Sequence, residues 1–271
     1  MVGLWITLLA TTRAQYGRGV SFEVTADAYN RYMGRYSGPL STDFADWAGV
    51  RAGERALDVG CGPGALTRVL VDRLGVDAVS AVDPSPPFVA ALRQSFPTLD
   101  VQLALAESLP YPDDLFDHAL AQLVVHFMTD PVGGLQEMGR VTRPGGTVSA
   151  CVWDFAGGRG PISPLWRAAR DLDPGVVDES ELPGAREGDL EQLCHAAGLA
   201  RVKGGELSIS THHESFDQWW EPYTFGVGPA GAYVSGLDEE HRDALREHCR
   251  ELLPQAPFDI TAYVWTVRAH V

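Results

Sequence analysis

Lysine is almost missing from this 271-residue chain: Lys203 stands alone among 21 basic side chains, and 36 acids leave a formal net charge of −15. A surface so short of positive charge repels phosphate backbones and anionic headgroups, which argues against a nucleic-acid substrate or a membrane partner. Cysteine is scarce as well. Cys61, Cys151, Cys194 and Cys249 form no C-x-x-C pair, so the common zinc and redox signatures are lacking, and the pattern suits reduced thiols in a cytoplasm. No apolar run approaches the ~20 residues that cross a bilayer. The opening MVGLWITLLA is apolar but short and has no basic flank, unlike a signal peptide. Residues 1–19 read as a disordered leader, and no repeat of solenoid length is present.

What remains is a globular composition, 45% apolar, long enough for one sizeable domain over 20–271. Residues 22–36 and 41–49 predict two helices that form a cap over 20–50. Strands and helices then alternate across 51–154: strands at 55–59, 77–83, 100–105, 115–122 and 147–153, helices at 64–74, 85–96 and 131–142, and a turn at RPGG. Apolar runs separated by helical segments imply a mostly parallel sheet covered on both faces. Residues 155–186, rich in Gly, Pro and acids, predict an inserted lid with a short helix at 163–171. A helix at 187–197, a strand near 201–210, an aromatic-rich stretch at 212–234, a helix at 238–252 and an alternating last strand complete the chain.

The stretch ALDVGCGPGALT places Gly60, Gly62 and Gly64 between a strand and a helix. Glycines there permit a tight turn and let backbone N–H groups reach a ligand at the helix start. Asp83 ends the next strand, where an acid typically holds ribose hydroxyls. The physical reading is a nucleoside-bearing ligand. Gly60, Gly62 and Ala65 also satisfy the dinucleotide pattern G-x-G-x-x-G/A, so a nicotinamide-dependent reductase is a rival. The Tyr-x-x-x-Lys pair of short-chain reductases is lacking, because Leu199 stands four residues before the sole lysine.

LDVGCGPG resembles the first motif of class I S-adenosylmethionine-dependent methyltransferases. The likeness continues through AVDPSPPFV, AESLPYPDDLFDHAL and EMGRVTRPGGTVSACVWD, and covers roughly residues 25–154. Within the family it is most similar to the small-molecule ubiquinone and menaquinone methyltransferases, whose cap AYNRYMGRYS also resembles. The resemblance implies a Rossmann-like, doubly wound, seven-stranded sheet with S-adenosylmethionine as cofactor, bound by the 51–154 core. Residues 155–271 would supply the insertion, the acceptor region and the closing strands. The implied cofactor set is Asp58, Gly60, Cys61, Gly62 and Gly64 at the methionine part, Asp83 and Pro84 at the ribose, Ala106 and Glu107 at the adenine, and Gln122 and Leu123 beneath the sulfonium, with Tyr32 and Arg35 from the cap. Leu105 stands where an aspartate is usual. The expected partner is a small-molecule methyl acceptor.

A sulfonium is already activated, so alignment and exclusion of water can suffice. A general base is needed only if the acceptor must lose a proton. His126 and Asp154, at the rim beyond the fourth and fifth strands, are the candidates, with packing and loop-holding roles as their alternatives. His118, inside a strand, suits a structural role. Tyr29 and Tyr36 on the cap and Trp153, Trp219, Trp220 and Tyr223 further on either line an acceptor pocket or pack the appendage onto the sheet. Adjacent His212 and His213 point to opposite faces of a strand, which disfavours a metal site. A cofactor-binding module without catalysis is the other reading, because the chemistry demands few side chains.

Overall fold

The core strand runs place apolar residues on both faces, and the reason is visible in the computed structural model, which describes residues 25–271. The leader 1–19 and the start of the expected cap lie outside the described residues. Strands β1 (Ala56–Val59), β2 (Val79–Asp83), β3 (Asp100–Leu103), β4 (Phe116–Gln122), β5 (Thr142–Trp153), β6 (Ala200–His213) and β7 (Phe258–His270) form one sheet in the order β3-β2-β1-β4-β5-β7-β6. The first five are mutually parallel, and β7 runs antiparallel between β5 and β6. Successive strand residues enter different apolar layers. Leu120 of β4 joins one with Leu66, Leu70 and Trp153, while its neighbours Ala119 and Ala121 join the other with Leu57, Leu135 and Met138. With side chains alternating across a strand, both faces are buried. This is the seven-stranded, doubly wound sheet that the sequence predicts.

The connecting helices are α3 (Ala65–Leu74), α4 (Pro86–Ser95) and α5 (Pro131–Val141). Asp130 caps α5 by accepting the Gly133 N–H at 3.0 Å. Beyond the sheet core come α6 (Ser163–Leu172), α7 (Asp189–Ala196), α8 (Phe216–Trp220), α9 (Gly228–Gly236) and α10 (Glu239–Leu252).

Three expectations need correction. The two cap helices are one continuous run: α1 (Ala26–Tyr29), a π-helical turn (Asn30–Gly34) and α2 (Arg35–Ala48), with Pro39 inside. Proline cannot bond back to the Arg35 carbonyl. The Thr211 hydroxyl reaches that oxygen at 3.5 Å, and Leu40 and Phe44 are fully buried, so packing overrides the break. The RPGG segment loops out within β5, whose register with β4 jumps from Phe116–Thr142 to His118–Thr147. Finally, β6 runs past the expected end near 210 to His213, and so includes the two histidines already read as strand neighbours.

Candidate functional site

The sheet order reverses at β1, which lies between β2 and β4. Parallel sheets open a crevice at such a point, beyond the carboxyl ends of the strands. The glycine turn sits there. Gly60 has φ +71°, and a Cβ on it would stand 2.5 Å from Val124. The Gly60 and Cys61 N–H groups donate to the Val82 carbonyl at 2.8 and 3.0 Å. The Gly62 N–H donates to Asp83 Oδ2 at 2.8 Å, and Ser85 N–H to Oδ1 at 2.8 Å. Asp83 therefore ties the turn to the end of β2. Gly62, at φ +52°, faces open crevice: the nearest atom to a Cβ there is Tyr29 Cε1, at 4.0 Å.

Asp58 forms the floor. It is 1% exposed, and one oxygen accepts the Thr67 hydroxyl at 2.6 Å. Burial pushes its carboxyl up to about 7, with Asp83 adding to the rise and Thr67 opposing it. Gln122 donates from Nε2 to the Ser37 carbonyl at 3.2 Å and to Ser41 Oγ at 3.0 Å. Its Oε1 is buried without a hydrogen-bond partner among the described residues. Leu123 has φ +63°, an uncommon conformation for a bulky residue and one that recurs at functional sites. Tyr29 of the cap roofs this space, its ring edge-on to Phe88 at 5.1 Å. The free volume beneath is about 20 Å³, about the room of one water.

A second cavity, of about 30 Å³, adjoins the first and shares Tyr29 and Leu123 with it. Its walls are apolar or aromatic, Tyr32, Met33, Trp153 and Phe155 among them, with two titratable groups, His126 and Glu179. Burial pushes His126 down to about 3, so its imidazole is neutral, and Nδ1 is buried without a partner among the described residues. Glu179 is 3% exposed and pushed up to about 7 by burial. Its Oε2 accepts the Trp166 indole N–H at 2.8 Å. Sequence reasoning missed Glu179: it lies in an acidic, proline-containing stretch where nothing in the pattern separates it from exposed Glu181.

A methyltransferase-domain model matches residues 57–150, from β1 into β5. The matched segment is a methyltransferase domain of the class I S-adenosylmethionine-dependent type. An uncharacterised methyltransferase of Mycobacterium tuberculosis is 39% identical over 166 residues, covering 60% of this chain and 65% of that relative. The chain thus spans just under two thirds of that relative's length. A malonyl-[acyl-carrier protein] O-methyltransferase of Serratia marcescens is 32% identical over 135 residues, 48% of this chain and 52% of that protein. The crystal structure of the YcgJ protein from Bacillus subtilis shares the fold, with a TM-score of 0.54 at 20% identity over 87% of this chain and 97% of that one.

S-adenosylmethionine is the cofactor of this methyltransferase family, and the donor set of the first cavity suits it. Asp58 and the unpartnered Gln122 oxygen are acceptors fit for a cation, and Gly62 leaves a cradle that a Cβ would fill. Asp58, Gly60, Cys61, Gly62, Gln122 and Leu123 converge there. Gly64, Asp83 and Pro84 lie just behind, with Asp83 buried and Pro84 exposed. Ala106 is buried, and Glu107 Oε1 accepts the Thr129 and Asp130 N–H groups at 2.7 and 3.1 Å.

Other expected residues are engaged elsewhere. The Arg35 guanidinium donates to the Gln218 and Trp219 carbonyls at 3.0 and 3.1 Å, pinning the cap to α8 instead of facing a cavity. Asp154 receives the Gly157 N–H at 2.8 Å and pairs with Arg159 at 2.5 Å, so it holds a loop. Tyr36, Trp219 and Tyr223 are fully buried, Trp220 nearly so, and none of the four lines either cavity. They form a layer behind it, where Tyr223 meets the Tyr32 ring edge-on at 5.8 Å. From residues 212–234, only Gly228 and Pro229 reach the second cavity. His118 bonds Thr147 and Glu54 near the start of β4, away from the crevice. His212 faces Asp259, and His213 is buried against Tyr36. Among the described residues no helix is long and apolar enough to cross a membrane, and no group of His, Cys, Asp or Glu could hold a metal.

Proposed function

We propose that this chain transfers a methyl group from S-adenosylmethionine to a small, largely apolar or aromatic molecule by in-line displacement. The observation that carries this reading is the junction of two cavities at Leu123, one polar and glycine-lined, the other aromatic. When bound, the cofactor supplies an activated methyl on a positive sulfonium. The chain's own residues then bind, align and exclude water. Asp58 and Gln122 receive the cationic end. The glycine turn meets the methionine part, and Asp83 both holds that turn and faces the ribose. Ala106 packs at the adenine end, beside Glu107, whose Oε1 is bonded to the Thr129 and Asp130 N–H groups. Leu123 separates the donor from the acceptor side, and Tyr32 and Trp153 bound the acceptor.

Loading requires the cap to move, because about 20 Å³ beneath Tyr29 is far below the ~300 Å³ at which ligand pockets begin. The same motion opens the acceptor side, since Tyr29 roofs both cavities. The low positive charge and four unpaired cysteines support a cytoplasmic small-molecule enzyme. Calorimetry with S-adenosylhomocysteine and NAD tests the reading. Binding of the first and not the second is expected; NAD binding alone would overturn it.

A further inference from the structure

We infer that Glu179 is the general base of this site and that the acceptor is a neutral, flat molecule presenting a phenol- or enol-type hydroxyl. The inference rests on the methyl-transfer reading above and adds the acceptor class to it. Glu179 comes from the 155–186 insertion, in a 3-10 turn over Glu179–Glu181. Its carboxylate is buried in a wall that is otherwise nearly all apolar. One oxygen, Oε2, accepts the Trp166 indole N–H at 2.8 Å. Of the residues lining the same space, His126 has a buried Nδ1 and Trp153 a buried Nε1 with no hydrogen-bond partner among the described residues. Two unfilled polar positions in an aromatic cavity are costly unless a ligand completes them. A ring bearing a hydroxyl does so: its faces meet Tyr32, Trp153 and Phe155, and its O–H meets Glu179.

Charge decides between acceptor types. An anionic acceptor is repelled by Glu179 and by the chain's net charge of −15. A permanent cation offers no proton for a carboxylate to take, and Glu179 is the acid of this cavity lining. A carboxylate pushed up to about 7 by burial is matched to taking a proton at neutral pH. The groups that face or adjoin it leave that role to Glu179. Tyr29 and Tyr32 on the cap are pushed up and stay neutral, and His126 is neutral. Asp178 and Glu181, its sequence neighbours, pair with Arg170 and Arg186. In the step, the acceptor oxygen bonds the methyl carbon as its proton passes to Glu179. The carbon–sulfur bond breaks, its electron pair stays on sulfur, and the sulfonium becomes a neutral thioether.

The test uses the full chain saturated with S-adenosylhomocysteine, with 4-methylphenol, 2-naphthol and 4-methylaniline as probes in binding titrations. Single-turnover methylation of either phenol is then followed against pH with S-adenosylmethionine. Expected for Glu179→Gln are an affinity for the phenols at least tenfold weaker, unchanged S-adenosylhomocysteine affinity, and a rate loss of ~10²–10⁴ with disappearance of the acid limb near neutral pH. Trp166→Phe keeps the carboxylate and removes the donor that favours its charged form, so the limb shifts to higher pH; this variant serves if Glu179→Gln does not fold. Wild type that binds S-adenosylhomocysteine but neither phenol overturns the acceptor class, as does equal binding of the aniline. An unchanged limb in both variants overturns the base. Failure of wild type to bind S-adenosylhomocysteine is a different result, and overturns the methyl-transfer reading itself.

Discussion

Asp58→Asn gives a clean test of whether the crevice is built for a cation. The carboxyl is buried, and its affinity for a proton rises from an ordinary 3.8 to about 7. At roughly 1.4 kcal/mol per tenfold in proton affinity, that rise costs the folded wild type on the order of 4 kcal/mol above neutral pH. The sign follows from which state holds the proton. The native chain keeps Asp58 protonated up to about pH 7, whereas the unfolded chain releases the proton near 3.8. Stability is therefore lost as pH rises between those values and is level above them. Asparagine accepts the same Thr67 hydroxyl, seen at 2.6 Å in the wild type, and carries no charge to bury.

Urea unfolding at pH 8.5 and pH 5 measures the effect, with stability from the midpoint and slope. The variant should be more stable than wild type by up to about 4 kcal/mol at pH 8.5 and by roughly 1–2 kcal/mol at pH 5. Its S-adenosylhomocysteine affinity should fall about tenfold or more, the cost of losing one charge-assisted hydrogen bond. Wild-type affinity should weaken as pH drops below about 7, because Asp58 must ionise to receive the ammonium. Equal stability at both pH values, or a gap that does not shrink at pH 5, would refute the buried-charge argument. A more stable variant with unaltered affinity would show that Asp58 faces no ligand cation.

Gly62→Val should abolish cofactor binding, since its Cβ points into open crevice at φ +52°; the strained backbone should also lower Tm, and calorimetry that finds retained affinity would place the ligand elsewhere. Amide exchange over the π-helical turn Asn30–Gly34 should slow when S-adenosylhomocysteine binds, because the cap must open and reclose; high and equal protection in both states would mean the cap is not the door. Trp220→Ala should cost ~3–5 kcal/mol of stability through lost packing and leave S-adenosylhomocysteine affinity nearly intact, so a folded, stable variant with failed turnover would return Trp220 to the acceptor wall.

The sheet was legible where two signals coincided. Runs such as ALDV and FDHALAQ place apolar residues on both faces and end in glycine or a turn, so strand type and two-sided burial follow together. The cap was less legible, because Gly38 and Pro39 carry the local signature of a helix break while the burial of Leu40 and Phe44 is a tertiary effect. The tyrosines on the cap share a helical spacing, yet the structure separates them: Tyr29 and Tyr32 reach the cavities and Tyr36 sinks beside His213. Trp219 and Tyr223 posed a choice between packing and pocket that composition does not decide, and both are fully buried. Glu179 was illegible because burial of an acid in an irregular segment leaves no periodicity to detect.

The placement of Leu123 explains why the two cavities stay distinct and yet touch. Its backbone, at φ +63°, lies in a region that costs a bulky residue ~1–3 kcal/mol and persists only where surroundings fix it. Here the Leu123 N–H is bonded to the Cys151 carbonyl at 2.9 Å, which holds the turn to β5. The preceding Gln122 remains in β4 and turns its amide under the cap, toward Ser37 and Ser41. The chain then reverses into the turn Val125–Phe127, which carries His126 to the aromatic side. A regular continuation of β4 would keep successive side chains alternating across the sheet and would not bring these two to neighbouring cavities. Leu123 thus sets the Gln122 amide by the glycine-lined cavity and the His126 imidazole by the aromatic one. Under the proposed methyl transfer, donor and acceptor would meet beside that leucine, which lines both cavities.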